Sequence, residues 1–236
     1  MKRTAFLAAS AALAAASRAS AQETVAIPGG SHLVERHNEF GAQDFAKIVG
    51  RPAQIRQLWE TVAFKPGILF NVKNALNGLQ FGFGYPADGI AMALAGHGPS
   101  ASYGYSDYVW KKYRIGEFFG LKDAAGAVLT SNVFLARRAP IDPSADPDDE
   151  KSMYQDSSIE MLQHRGVVVL TCHTAVEEQS RALVKKGFAP SGMTGKQVAI
   201  DILLHLIPGA VVVPSMVAAI AVLQATYHYT YVAPQL

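Results

Sequence analysis

Two stretches of this chain repeat one local pattern, and that pattern limits the fold more than anything else in it. After Thr194 come a helix signal, a stop at Pro208-Gly209, the apolar run Ala210-Val211-Val212-Val213, and Pro214-Ser215 opening another helix through Leu223. Thr194 with Gln197 makes a capping box, and Val198, Ile202 and Leu206 share one helical face. Upstream, Ser157 or Ser158 starts a helix ending at Gly166, Val167 to Leu170 is β-branched and apolar, and Thr174 with Glu177 is expected to cap a helix reaching Val184. Short apolar runs without alternation, set between helices, are expected to be fully buried strands.

The pattern continues toward the amino terminus. Pro66 to Leu79 places Ile68, Leu69, Val72, Leu76 and Leu79 at helical spacing, Ile90 to Ala95 is a short apolar run, and an initial strand is expected within Ile55 to Val62. A final strand is expected at Tyr229 to Val232, where Tyr227, Tyr229 and Tyr231 alternate. Strands alternating with helices predict an α/β fold with a mainly parallel central sheet and helices on both faces. The apolar stretch from Ile202 to Leu223 is not expected to span a membrane, because Pro208, Gly209 and Pro214 would break such a helix twice in hydrocarbon.

Two segments fall outside the alternation. Residues 22–54 form a polar N-terminal extension with a short helix near Asp44 to Val49. Residues 137–156 hold Pro140, Pro143, Pro147 and five acids between Asp142 and Glu150, which predicts a loop or flap whose spacing fits no EF-hand. The domain proper is expected over residues 55–236.

Residues 1–21 have the layout of a cleavable signal peptide: Lys2-Arg3, an apolar stretch from Ala5 to Ala16, then Ala19-Ser20-Ala21. The expected destination is the periplasm, by the general or the twin-arginine route. Cleavage would remove Lys2, Arg3 and Arg18, so 21 Lys+Arg become 18 against 19 Asp+Glu, and the mature charge is −1. No clustered basic surface for nucleic acid is expected. One cysteine, Cys172, is present, so no internal disulfide can form.

Three loops are expected at the carboxyl edge of the sheet, where open α/β folds bind ligands: Gly96-His97-Gly98-Pro99-Ser100, Cys172-His173-Thr174 and Pro214-Ser215. Cys172 ends a strand just before a helix, where the helix dipole favours a thiolate; a buried cysteine acting as a small hydrophobe is the competing reading. His97 lies between Gly96 and Gly98, which let backbone approach a ligand, and its imidazole could act as a base. His173 follows the cysteine directly and points to the opposite side of extended chain. Cys172 with His97 or His173 could alternatively bind copper, zinc or haem iron, although no HExxH, CxxC or CxxCH motif supports this. GxGxxG, GxxxxGK[ST] and GxSxG are also absent. Tyr103, Tyr105, Tyr108, Trp110 and Tyr113 are candidates for a pocket lining, a subunit contact or ordinary helix packing.

Residues 165–172 (RGVVVLTC), 206–215 (LIPGAVVVPS), Leu223-Gln224 and the tyrosine-rich end, with Asn71, Asn74-Ala75 and Gly96-His97-Gly98 upstream, resemble the DsrE/DsrF-like family. The likeness covers residues 55–234 and is closest to an exported subgroup. It implies a DsrE-like three-layer α/β domain assembled as a trimer or hexamer, with sulfur carried as a persulfide on Cys172 and passed to a partner protein. Gly96, His97, Gly98, His173, Thr174 and Ser215 would line the pocket, and no cofactor or resident metal is implied. The family's loop has small residues after the cysteine and then an arginine pair. Here Thr174-Ala175 fits the first part, and Glu177-Glu178 stand near the second.

Overall fold

A computed structural model describes residues 33–65 and 67–233, so the expected signal peptide lies outside the described residues. Five parallel strands form one sheet: β1 (Ile55–Thr61), β2 (Ile90–Gly96), β3 (Val167–Cys172), β4 (Val211–Val213) and β5 (Thr230–Val232). Their spatial order is β4-β3-β2-β1-β5. Register is continuous across the middle: Glu60 pairs with Ala95 and Ala95 with Leu170, while Thr61 pairs with Gly96 and Gly96 with Thr171. Paired residues in parallel strands share a face, so each row can be assigned to one side of the sheet.

On one side lie Leu58, Ala91, Ala93, Ala95, Leu170 and Cys172. The alanine row of β2 offers little bulk, which leaves room for two helices, α1 (Ala42–Val49) through Phe45 and Val49, and α8 (Met216–Ala225) through Met216, Ala219 and Leu223. On the other side Trp59, Ile90, Met92, Leu94, Val167 and Val169 cover α2 (Gly67–Asn77) and α5 (Ile159–His164). Each fully buried large apolar side chain contributes roughly 1.5–3 kcal/mol, so these two layers account for the fold: a three-layer α/β domain with helices on both faces. A third cluster joins α3 (Asp107–Lys112) and α4 (Ile115–Phe118) to α6 (His173–Lys185) and α7 (Gly195–Leu204), around Tyr105, Trp110, Tyr113, Val176 and Ile202. Of the tyrosines in that neighbourhood only Tyr108 is exposed, so packing explains the aromatic run. Among the described residues, no helix is long and apolar enough to cross a membrane.

Several local expectations are corrected. The Thr194–Gln197 capping box forms, but α7 ends at Leu204 and leaves Leu206 beyond it. The Thr174–Glu177 cap does not form: α6 begins at His173, and the side chain at its N-cap is Cys172 itself. β4 is a half-buried edge strand, not a fully buried one, because it pairs only with β3. Tyr227 precedes β5, and the chain turns at His228 with φ +58°, so Tyr227 does not alternate with Tyr229 and Tyr231 on one strand. The acidic segment is a loop, as expected, with one 3₁₀ turn at Met153–Gln155, yet its end is fastened down by buried Met153, Tyr154 and Asp156.

Candidate functional site

The order in which strands are added reverses after β4. β3 feeds a connection that continues outward to β4, whereas β4 feeds one that returns across the sheet to β5, beyond β1. Of the helices that leave these neighbouring carboxyl ends, α8 packs into the cluster of Ala95 and Leu170, whereas α6 places Ala175 there and Val176 and Leu183 in the cluster of Tyr105 and Ile202. A crevice at such a switch point is where open α/β sheets take ligands.

Cys172 occupies it. Its Sγ accepts a hydrogen bond from Ala175 N at 3.4 Å, in the first turn of α6, and another from Met216 N at 3.3 Å, the first residue of α8. Unsatisfied amides at helix N-termini carry partial positive charge, so two helices present electropositive ends to one sulfur atom. The position is held by a clasp beside it, in which Thr174 Oγ1 donates to Pro214 O at 3.0 Å and ties the start of α6 to the end of β4. That bond takes the hydroxyl that the sequence pattern assigned to helix capping. Cys172 is only 5% exposed.

His97 lies one step past Gly96 on β2, as Cys172 lies one step past Thr171 on β3, and Gly96 and Thr171 are paired. Both residues are extended, with φ −143° and ψ 174° at His97 and φ −78° and ψ 115° at Cys172. By alternation both fall on the side that carries Ala95 and Leu170, on strands about 4.8 Å apart. His97 Nε2 bonds Glu60 Oε1 at 2.7 Å, both side chains being less than one-fifth exposed. The other oxygen of Glu60 accepts from the Tyr231 hydroxyl. Hydrogen bonding to the Glu60 carboxylate, followed by burial and the nearby negative charge, pushes the Tyr231 phenol up to about 12. A row Tyr231, Glu60, His97, Cys172 thus crosses β5, β1, β2 and β3 at the carboxyl edge, on one side of the sheet.

The loop after His97 is built to stay in place. Ser100 Oγ donates to His97 O at 2.9 Å and to Thr61 O at 2.5 Å. Gln179 of α6 donates through Nε2 to Gly98 O at 2.5 Å and accepts through Oε1 from Tyr105 at 2.8 Å and Ser102 at 3.2 Å. Burial pushes the Tyr105 phenol far above its ordinary range, so it acts as a donor and not as an acid. Gly98 has φ +55°, and a Cβ on Gly96 would lie 2.8 Å from Ser100 O, so both glycines of the histidine loop are required by the turn. At Gly104 a Cβ would lie 2.2 Å from Thr171 Oγ1. Gly104→Ala is therefore expected to push the loop off β3 and cost about 1–3 kcal/mol, read as a lower urea midpoint with an unchanged slope.

Ser215 takes the N-cap position of α8 without a side-chain capping bond. His173 is buried, with Nε2 3.9 Å from Glu177 Oε1. Glu177 is fully buried and pairs with Arg181 at 2.5 Å, so its charge is balanced within α6. Among the described residues, no group of three or more His, Cys, Asp or Glu side chains is arranged to hold a metal ion. Glu60, Tyr231 and Gln179 were missed by sequence reasoning. A signal existed for Glu60, since it shares the parity of Leu58 near the end of an expected strand, where a charge must find a partner.

Fold and site together define an α/β protein with a cysteine at its topological switch and a carboxylate-bound histidine beside it. The chain finds no match among family models, curated proteins or solved structures.

Proposed function

We propose that this chain is an exported, DsrE-like protein of the periplasm that binds or relays sulfur through Cys172, as a persulfide carrier. One observation carries the reading: the Cys172 sulfur sits at the switch point and accepts amide hydrogen bonds from the first turns of two separate helices. Such an environment suits a sulfur that alternates between thiolate and persulfide. In the step proposed, the Cys172 thiolate attacks the outer sulfur of a donor persulfide, R–S–SH. The donor S–S bond breaks, Cys172–S–SH forms, and R–S⁻ leaves; the reverse step passes the sulfur to an acceptor protein. No cofactor enters the balance. A homo-oligomer, trimeric or hexameric, belongs to the same proposal, and the exposed apolar flank of α8 at Val217 and Val222 supports an assembly surface close to the site.

The test is to incubate folded protein with polysulfide, remove the excess and treat with cyanide. A carrier releases one thiocyanate per chain; release no greater than from a Cys172→Ser chain overturns the reading. A second reading is favoured by the 5% exposure of Cys172 and its place in the core cluster with Val213 and Met216. In it the cysteine is a small core hydrophobe of an oligomeric binding or assembly module. It predicts native alkylation much slower than alkylation of the urea-unfolded chain and no thiocyanate.

A further inference from the structure

The geometry points to Glu60 and Tyr231 as positioning residues that set His97 as the proton acceptor for the Cys172 thiol. The inference rests on Cys172 being the reacting group in the function proposed above. Glu60 is a carboxylate on a largely buried strand, less than one-fifth exposed, and both of its oxygens are engaged. One binds His97 Nε2 and the other the Tyr231 hydroxyl. A carboxylate accepts, so Nε2 carries the imidazole proton and Nδ1 is left with its lone pair. Among the described residues, no protein group bonds Nδ1, and His97 has no ion pair other than that with Glu60.

Among the described residues, the titratable groups that hydrogen bonds and sheet register place in a row with His97 are Glu60 of β1, Tyr231 of β5 and Cys172 of β3. The Tyr231 phenol is held up by its bond to Glu60 and keeps its proton, which leaves the Cys172 S–H as the donor in the proposed step. In the described state the sulfur faces its two amides and the imidazole faces Glu60, so proton transfer runs by side-chain rotation or through one water. The Cys172 S–H proton goes to His97 Nδ1, and the resulting imidazolium is balanced by the Glu60 carboxylate. When R–S⁻ leaves the donor, it takes that proton from His97 as R–SH, and the site returns to its starting charge. Tyr231, donating to the far oxygen of Glu60, keeps that carboxylate turned toward the histidine.

The experiment is a pH profile of Cys172 alkylation by iodoacetamide in the folded full chain, for the wild type, Glu60→Gln, His97→Gln and Tyr231→Phe. Glu60→Gln keeps an acceptor for Nε2 but removes the charge. We expect the rate at neutral pH to fall roughly ten-fold or more in Glu60→Gln and His97→Gln. Tyr231→Phe loses less in the same direction. All four chains converge at alkaline pH, where hydroxide replaces the histidine as proton acceptor. A rate lowered by one factor at every pH, or unchanged at neutral pH, overturns the inference, because a purely structural role would do the former and an idle dyad the latter. His97→Gln gives the same comparison if Glu60→Gln does not fold. Polysulfide loading of the wild type is scored separately. Loading without the neutral-pH loss in the variants removes the proton-acceptor role and leaves the carrier; the neutral-pH loss without loading does the reverse.

Discussion

A Cys172→Ser chain folds and takes up no sulfur from polysulfide. The loss is complete because no other cysteine exists in the sequence. The fold survives because serine keeps an acceptor for Ala175 N and Met216 N, the two amides that otherwise lose their partner in a buried place. The change removes a small, polarizable atom and introduces a hydroxyl beside Val213 and Met216, at a cost of about 1–2 kcal/mol. A domain of this size has roughly 5–15 kcal/mol of stability. Far-UV circular dichroism and urea unfolding check the fold, and cyanide-released thiocyanate checks the function. Cys172→Ala is the harsher control, since it leaves both amides without an acceptor.

Asp156→Ala gives the largest loss of stability expected from a single surface-loop acid in this chain. The carboxylate is 1% exposed and binds the amides of Arg138 and Ala139 through Oδ2 and that of Ser158 through Oδ1. It therefore fastens both ends of the acidic loop to the start of α5, where the Ser158 side chain itself caps Met161 N. Removing it strands three backbone donors, at a cost of about 3 kcal/mol. That corresponds to a fall in Tm of roughly 6–12 °C for a domain of this length. Burial alone would raise the Asp156 carboxyl, but the bonds from Ser158, Ala139 and Arg138 outweigh it and hold the group below its ordinary value of 3.8. A depressed carboxylate contributes stability that is fully present above the unfolded value and is lost as pH falls through the folded one. The gap between wild type and Asp156→Ala is accordingly full at neutral pH and narrows as pH falls below about 3.8. Thermal melts across that range check it; a gap independent of pH would remove the carboxylate from the explanation.

The strands were legible because each carries a local signature that tertiary contact did not need to override. Val167 to Cys172 and Ile90 to Gly96 lie within one or two residues of the expected runs, and Gly166, with φ +93°, marks the break before β3. What sequence could not reach were the choices made by side chains with more than one possible partner. Thr174 and Glu177 have the spacing of a capping box, yet Thr174 is taken by Pro214 O and Glu177 by Arg181, leaving the cap to Cys172. Those partners are 40 residues away and one helical turn away, and only the fold decides between them. His97 and Cys172 could be named because glycines and a strand end mark them. Glu60 and Tyr231 could not, because their role follows from β5 lying next to β1, a pairing that crosses more than 170 residues of chain. The N-terminal segment shows the same thing: Phe45 and Val49 of α1 belong to the sheet's own core, although the sequence reads there as a polar extension.

Intact-mass analysis of the folded wild-type protein after exposure to polysulfide, followed by peptide mapping, decides whether Cys172 carries sulfur. A carrier gains the mass of one sulfur atom per chain, located on Cys172 and discharged by a small thiol acceptor. A folded chain that returns at its original mass, with Cys172 unmodified, would contradict the carrier role.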